Sequence, residues 1–146
     1  MIPNHKNTLV LVGDGRKALF LRQVGRGSKI SLVVDHVVEE ENPATREQGT
    51  DQPGRTSGGT GNRTSAIKET DWHRLAEERF AAEIAETLYR RAHAGRFDSL
   101  IVIAPPKILG DLRNAFHPEV IERIDREIPK QLTGHPIEEI AKLLRQ

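Results

Sequence analysis

A long polar segment, Glu40–Glu69, divides this 146-residue chain into two parts of different character. Its apolar residues are Ala44, Ala66 and Ile67, and the remainder is polar, charged, glycine or proline. Such a composition buries too little apolar surface to offset the entropy cost of ordering the backbone. We therefore expect most of residues 40–69 to form a mobile loop. Loops of this length inside a compact domain are usually either functional or disordered.

The residues before this segment predict three strands. Thr8–Val12 and Ala18–Val24 are short, β-rich apolar runs, and the Asp14-Gly15 pair between them is typical of a hairpin turn. After a second glycine-rich turn, Ile30–Val38 alternates so that Ile30, Leu32, Val34 and Val38 share one face. These three strands predict an antiparallel meander.

The residues after the segment predict helices alternating with strands. Apolar residues from Trp72 to Ala92 recur every three or four positions, which predicts one long helix starting at Thr70 and ending at Gly95. Residues 99–104 form an unbroken apolar run typical of a buried strand, parallel to the first. Pro105-Pro106 opens a further helix. Residues 118–128 fit either a helix or a strand, and we expect a short helical turn running into an edge strand.

The terminal residues 136–144 predict a last helix with Ile137, Ile140, Ala141 and Leu144 inward. Together the elements indicate an α/β fold with a mixed sheet, and a chain of this length fits one domain over residues 1–146.

Composition excludes several classes of function. Twenty-two basic residues oppose 21 acidic ones, so the net charge of +1 gives no bulk attraction to nucleic acid or membranes. The chain has no cysteine, and hence neither a disulfide nor a thiolate nucleophile. The first residues lack a signal-peptide pattern, and no apolar run approaches the roughly 20 residues of a membrane span. We therefore expect a cytoplasmic protein without membrane insertion.

Candidate metal or nucleotide sites are weakly indicated. His73 and Glu77 share a helix face. Asp14, Asp35 and Asp98 lie at or near predicted strand ends. A metal-dependent hydrolase that uses Asp14 and Asp35 is therefore one possible function. The run Gly58–Ser65 lacks the Gly-Lys-Ser/Thr ending of a phosphate-binding loop. We expect no catalytic set, no metal, no cofactor and no nucleotide.

Basic residues among glycines are the remaining signal in the segment. Arg46, Arg55, Arg63 and Lys68, with Gly58 and Gly59 between them, are the predicted binding residues. Arginine side chains and backbone amides on a mobile loop bind phosphate or RNA. The segment has no aromatic residue for base stacking, and its own acids nearly cancel its charge, so a solvated loop is the alternative.

The order of strands, loop and long helix resembles the middle domain of archaeo-eukaryotic class 1 peptide release factors and Pelota. The similarity is strongest over Gly13–Leu21 and in the placement of the loop. It implies a ribonuclease-H-like three-layer core and a functional Gly-Gly-Gln tip on the loop before the long helix. Here Gly58-Gly59-Thr60 stands in place of that tip, and threonine is too short to present the glutamine amide. The resemblance therefore does not extend to peptide release.

Four sequence blocks also resemble the bacterial host attachment protein family. They are ENPATREQGTDQPGR (residues 41–55), TDWHRLAEERFA (70–81), VIAPPKILGDLR (102–113) and IPKQLTGHPIEEI (128–140). This resemblance implies a non-enzymatic interaction protein that acts indirectly in attachment to host cells, through an unknown protein partner. The alternative is a ribosome- or RNA-associated factor related to release factors, with residues 40–69 as the contact.

Overall fold

The computed structural model describes residues 7–40 and 58–145, with side chains described for 7–40 and 71–145. Five strands form one mixed sheet in the order β3-β2-β1-β4-β5. Their bounds are β1 Thr8–Gly13, β2 Lys17–Val24, β3 Ser31–Glu39, β4 Ser99–Ile103 and β5 Ile124–Ile128. The first three strands are antiparallel, whereas β4 lies parallel to β1 and β5 parallel to β4. This confirms the predicted meander and the predicted parallel strand.

Helices cover both faces of the sheet, so the fold is a three-layer α/β arrangement. Their bounds are α1 Gly58–His93, α2 Pro106–Ala115, α3 Pro118–Ile121 and α4 Ile137–Arg145. On one face, residues of α1 and α2 such as Leu88 and Leu112 pack against Phe20 and Val102. On the other face, α4 buries Ile140 and Leu144 against Val10 and other sheet residues. Residues 118–128 form the expected helical turn followed by an edge strand.

The predicted face assignment of β3 was wrong beyond its middle. Phe20 pairs with His36 but the next residue, Leu21, pairs with Val34, so Asp35 is an extra residue in β3. Because side chains alternate along a strand, one extra residue moves all later side chains to the opposite face. Val38 therefore packs with the α1 layer, whereas Leu32 packs with the α4 layer. Val34, predicted to share a face with Leu32 and Val38, is 48% exposed.

The long helix starts earlier than its sequence predicts. Helix α1 begins at Gly58 and contains 36 residues, so the expected loop over residues 40–69 is wrong for residues 58–69 and Thr70 is not the N-cap. Residues 58–69 contain no proline, and extending an existing helix by one residue costs far less than nucleating it. Among the described side chains, burial against the sheet begins at Phe80. That packed part stabilises the helix from which the preceding turns extend.

Candidate functional site

The six predicted binding residues are not brought together by described contacts. Arg46 and Arg55 lie outside the described residues, and Gly58, Gly59, Arg63 and Lys68 lie in the part of α1 for which only the backbone is described. The Gly58-Gly59-Thr60 sequence occupies the first turn of α1. These six residues therefore stay predictions.

A cleft of about 720 Å³ lies at the carboxyl ends of β1 and β4. In open α/β sheets, ligands commonly bind at the carboxyl ends of parallel strands. We call this cavity the carboxyl-end cleft. It is lined by Asp14, Gly15, Arg16, Lys17, Glu39, Glu40, Glu77, Pro105, Lys107, Ile108 and Gln131. Side chains of both charges thus line this cleft.

Asp14 organises one wall of the carboxyl-end cleft. Its Oδ1 atom accepts hydrogen bonds from the backbone N–H groups of Arg16 (2.7 Å) and Lys17 (2.8 Å), which closes the β1–β2 turn. Its Oδ2 atom accepts a hydrogen bond from the Thr133 hydroxyl at 2.7 Å. Thr133 is 9% exposed and lies in the connection between β5 and α4. Asp14 therefore acts in turn formation, as predicted, and also links the β1–β2 turn to the connection between β5 and α4.

Glu77 of α1 lines another wall of the carboxyl-end cleft. Its Oε1 atom accepts a hydrogen bond from the Lys107 ammonium at 3.1 Å, which ties α1 to the first turn of α2. Gly15 lies directly beneath this carboxylate, because a Cβ atom added there would come within 2.8 Å of Glu77 Oε2. The glycine thus allows the β1–β2 turn to approach α1 closely.

Glu40 is the carboxylate of this region whose pKa is raised. Partial burial is the main cause, the nearby charge of Glu83 adds to it, and Arg79 opposes it. The Glu40 backbone N–H donates to the Arg16 carbonyl at 2.8 Å, which holds the residue beside the β1–β2 turn. The folded protein therefore binds a proton at Glu40 more tightly than the unfolded chain does.

We expect Glu40→Gln to stabilise the protein at neutral pH. A raised pKa in the folded state contributes stability below the ordinary glutamate pKa of 4.5, and that contribution is lost as pH rises through the folded-state pKa. Removing the charge should raise the free energy of unfolding by less than about 1 kcal/mol, since Glu40 is only partly buried. Thermal unfolding of both proteins at neutral pH and below pH 4.5 checks this. A variant less stable than the original protein at neutral pH would contradict it.

The structure separates the carboxylates of the hydrolase hypothesis. Asp14 follows β1 at the carboxyl-end cleft, whereas Asp35 and Asn7 line a different cavity at the amino end of β1. Asp98 also lies at that amino end, where its Oδ2 atom accepts a hydrogen bond from the Asn7 N–H. Six residues of strand span about 20 Å. A shared metal site of Asp14 and Asp35 is therefore wrong.

Other metal ligands are not assembled in the described residues. His73 and Glu77 line a common small cavity, but Glu77 already accepts a hydrogen bond from Lys107. Within residues 7–40 and 71–145, no three side chains of metal-ligating type come together. The carboxyl-end cleft is lined by side chains of both charges. Its two best-fixed carboxylates, Asp14 and Glu77, are engaged in holding the fold.

Comparison with known proteins supplies the deciding observation. The model of bacterial archaeo-eukaryotic release factor family 12 matches residues 7–144. The chain belongs to this family. Membership in release factor family 12 supports the resemblance to release factors and gives no support to the host attachment assignment. No curated protein matches the chain. None of the described helices has the length and apolar character needed to cross a membrane.

Sequence reasoning did not find most residues of the carboxyl-end cleft. The partners Glu77 and Lys107 are 30 positions apart, and Asp14 and Thr133 are 119 apart. The available signals were indirect. The turn sequence at Asp14 and the two prolines that open α2 mark the carboxyl ends of β1 and β4, where this family 12 member forms its cleft.

Proposed function

We propose that this chain is a factor that associates with RNA, most directly with the ribosome. The observation that carries the proposal is the match of release factor family 12 to residues 7–144, nearly the whole chain. This was the alternative function in the sequence analysis, and it replaces the host attachment function, for which the family match gives no support.

The shape of α1 suits such a role. A helix of 36 residues is about 54 Å long at 1.5 Å per residue. The described side chains of α1 become buried against the sheet only from Phe80 onward, so the sheet anchors its carboxyl-terminal part. Gly58-Gly59-Thr60 lies in the first turn, at the other end. In the proposal, this end enters the ribosome, where the paired glycines allow close approach to RNA backbone.

Peptide release is not part of the proposed function. In the related release factors, the Gly-Gly-Gln tip acts at the peptidyl-tRNA ester, and this chain carries Thr60 where the glutamine would stand. A threonine hydroxyl does not supply the donor and acceptor of an extended side-chain amide. We propose that the basic residues Arg46, Arg55, Arg63 and Lys68 bind phosphates of ribosomal RNA. The chain then binds the RNA without hydrolysing the peptidyl-tRNA ester.

Sedimentation with ribosomes tests the proposal. The purified protein should pellet with ribosomes through a sucrose cushion at low salt and be released at high salt, because lost phosphate contacts are replaced by counterions. Arg55→Ala with Arg63→Ala should weaken this association by about tenfold. The matched control, Arg126→Ala with Lys130→Ala, removes two exposed charges near β5 and should leave it unchanged.

Two outcomes would contradict the proposal. If the unaltered protein stays in the supernatant at low salt, ribosome association is wrong. If ribosome-bound peptidyl-tRNA releases its peptide faster with the protein than without it, the exclusion of peptide release is wrong.

A further inference from the structure

A second cavity lies at the opposite end of the sheet from the carboxyl-end cleft. It has a volume of about 250 Å³ and is lined by Asn7, Thr8, Leu9, Arg22, Asp35, Arg91, Arg96 and Phe97. These residues come from the amino end of β1, from β2 and β3, from the last turn of α1 and from the connection to β4. We call it the arginine pocket, because Arg22, Arg91 and Arg96 surround it.

One arginine of this pocket is fixed by its neighbours. The Arg91 Nη1 atom donates to Asp35 Oδ2 at 2.7 Å, and the Arg91 guanidinium lies over the Phe20 ring at 4.9 Å from its centroid. The Arg91 side chain is 21% exposed. A guanidinium held in this way loses little conformational entropy when a ligand binds. The extra residue in β3 is Asp35 itself, so the bulge places the carboxylate that orients Arg91.

The charges of the pocket do not cancel. Asp35 compensates one guanidinium, whereas Arg22 and Arg96 are exposed and form no ion pair within the part of the chain whose side chains are described. The three guanidinium groups are opposed by Asp35 and by Asp98, whose carboxylate accepts from the Asn7 N–H at this end of the sheet, which leaves a local charge of about +1. Unlike the carboxyl-end cleft, where acids and bases alternate, this pocket attracts anions.

The chemistry of the pocket favours a phosphate group. Guanidinium groups match the oxygens of phosphate with paired hydrogen bonds. Base stacking is excluded at the two phenylalanines, since Phe20 and Phe97 are 0% and 2% exposed. A cavity of about 250 Å³ with arginines at its rim and no accessible aromatic face suits a backbone phosphate rather than a base.

We infer that the arginine pocket binds a phosphodiester of an RNA backbone. This inference rests on the proposed function, from which the choice of RNA as the source of the phosphate follows. Arg91 lies about 50 Å along α1 from Gly58. The chain therefore contacts RNA at two separate places, and the arginine pocket is the contact made by the rigid, packed part of the fold.

Binding of a fluorescein-labelled single-stranded RNA, followed by anisotropy over a range of salt concentrations, tests the inference. Arg22→Gln with Arg96→Gln should weaken binding by about tenfold and lower the slope of log Kd against log salt by roughly one for each lost contact. The control, Arg126→Gln with Lys130→Gln, removes the same charge and should change neither quantity. All these side chains are exposed, so the variants should keep the melting temperature of the original protein.

Other results distinguish failure of the arginine-pocket inference from failure of the proposed function. If the pocket variant and the control bind RNA equally, the inference is wrong, and ribosome sedimentation of the unaltered protein still supports the proposed function. If the unaltered protein binds neither RNA nor ribosomes, both are wrong. If inorganic phosphate shifts the NMR signals of the pocket but RNA does not, the site binds free phosphate and the RNA assignment is wrong.

Discussion

Replacing Phe20 with alanine should lower the free energy of unfolding by about 3–5 kcal/mol. Phe20 is fully buried in the centre of β2 and packs in the core between the sheet and α1. The substitution removes a large apolar side chain and leaves a cavity that the neighbouring residues fill only in part. It also removes the ring beneath the Arg91 guanidinium and beside the His36 ring, whose centroid is 5.7 Å away. Chemical denaturation monitored by circular dichroism measures the loss.

Val34→Ala is the matched control for Phe20→Ala. Val34 is also an apolar strand residue, paired with the neighbour of Phe20, but it is 48% exposed on the edge strand β3. Its truncation should cost less than about 1 kcal/mol. Equal losses for the two variants would contradict the described burial of Phe20 and exposure of Val34.

Asp14→Ala should lower the free energy of unfolding by about 2–3 kcal/mol. The change leaves the N–H groups of Arg16 and Lys17 without their side-chain acceptor, and the largely buried Thr133 hydroxyl without its partner. A buried donor that loses its acceptor pays the full cost of desolvation. For a chain of this size, each kcal/mol corresponds to about 2–4 °C in melting temperature, so thermal unfolding resolves the effect.

Asp14→Asn distinguishes this structural role from a chemical one. An asparagine oxygen still accepts from the two turn amides, and its amide group donates to the Thr133 oxygen. Most of the stability should therefore return. A variant Asp14→Ala that melts with the original protein would show that the contacts at Asp14 contribute nothing to the fold.

Local sequence signals were sufficient for most of the secondary structure. The short β-rich apolar runs and the Asp14-Gly15 turn predicted β1 and β2, and the unbroken apolar run predicted a parallel β4. The bulge at Asp35 was not predictable, because it depends on the pairing with β2 and on an ion pair with Arg91 on α1. The start of α1 was missed because composition describes local preference, whereas a helix already stabilised by packing extends through weakly helical residues.

The cavities were less predictable than the elements. Their key contacts join residues far apart in sequence, such as Arg91 with Asp35 at 56 positions and Thr133 with Asp14 at 119. No spacing rule connects such pairs. The predicted binding residues came from glycine and arginine content between residues 40 and 69, whereas the arginine pocket draws its charges from strands and from the end of α1. Only the fold places Arg22 next to Arg96.

Ultraviolet cross-linking in living cells, with the linked RNA and peptides identified by sequencing and mass spectrometry, measures RNA contact most directly. We predict adducts to ribosomal RNA on peptides from residues 40–69 and from the arginine pocket. In a second sample, isolated ribosomes are washed at high salt before irradiation, and these adducts should then not form. A chain that carries no nucleotide adduct, while ribosomal proteins in the same sample are cross-linked, would contradict its association with the ribosome.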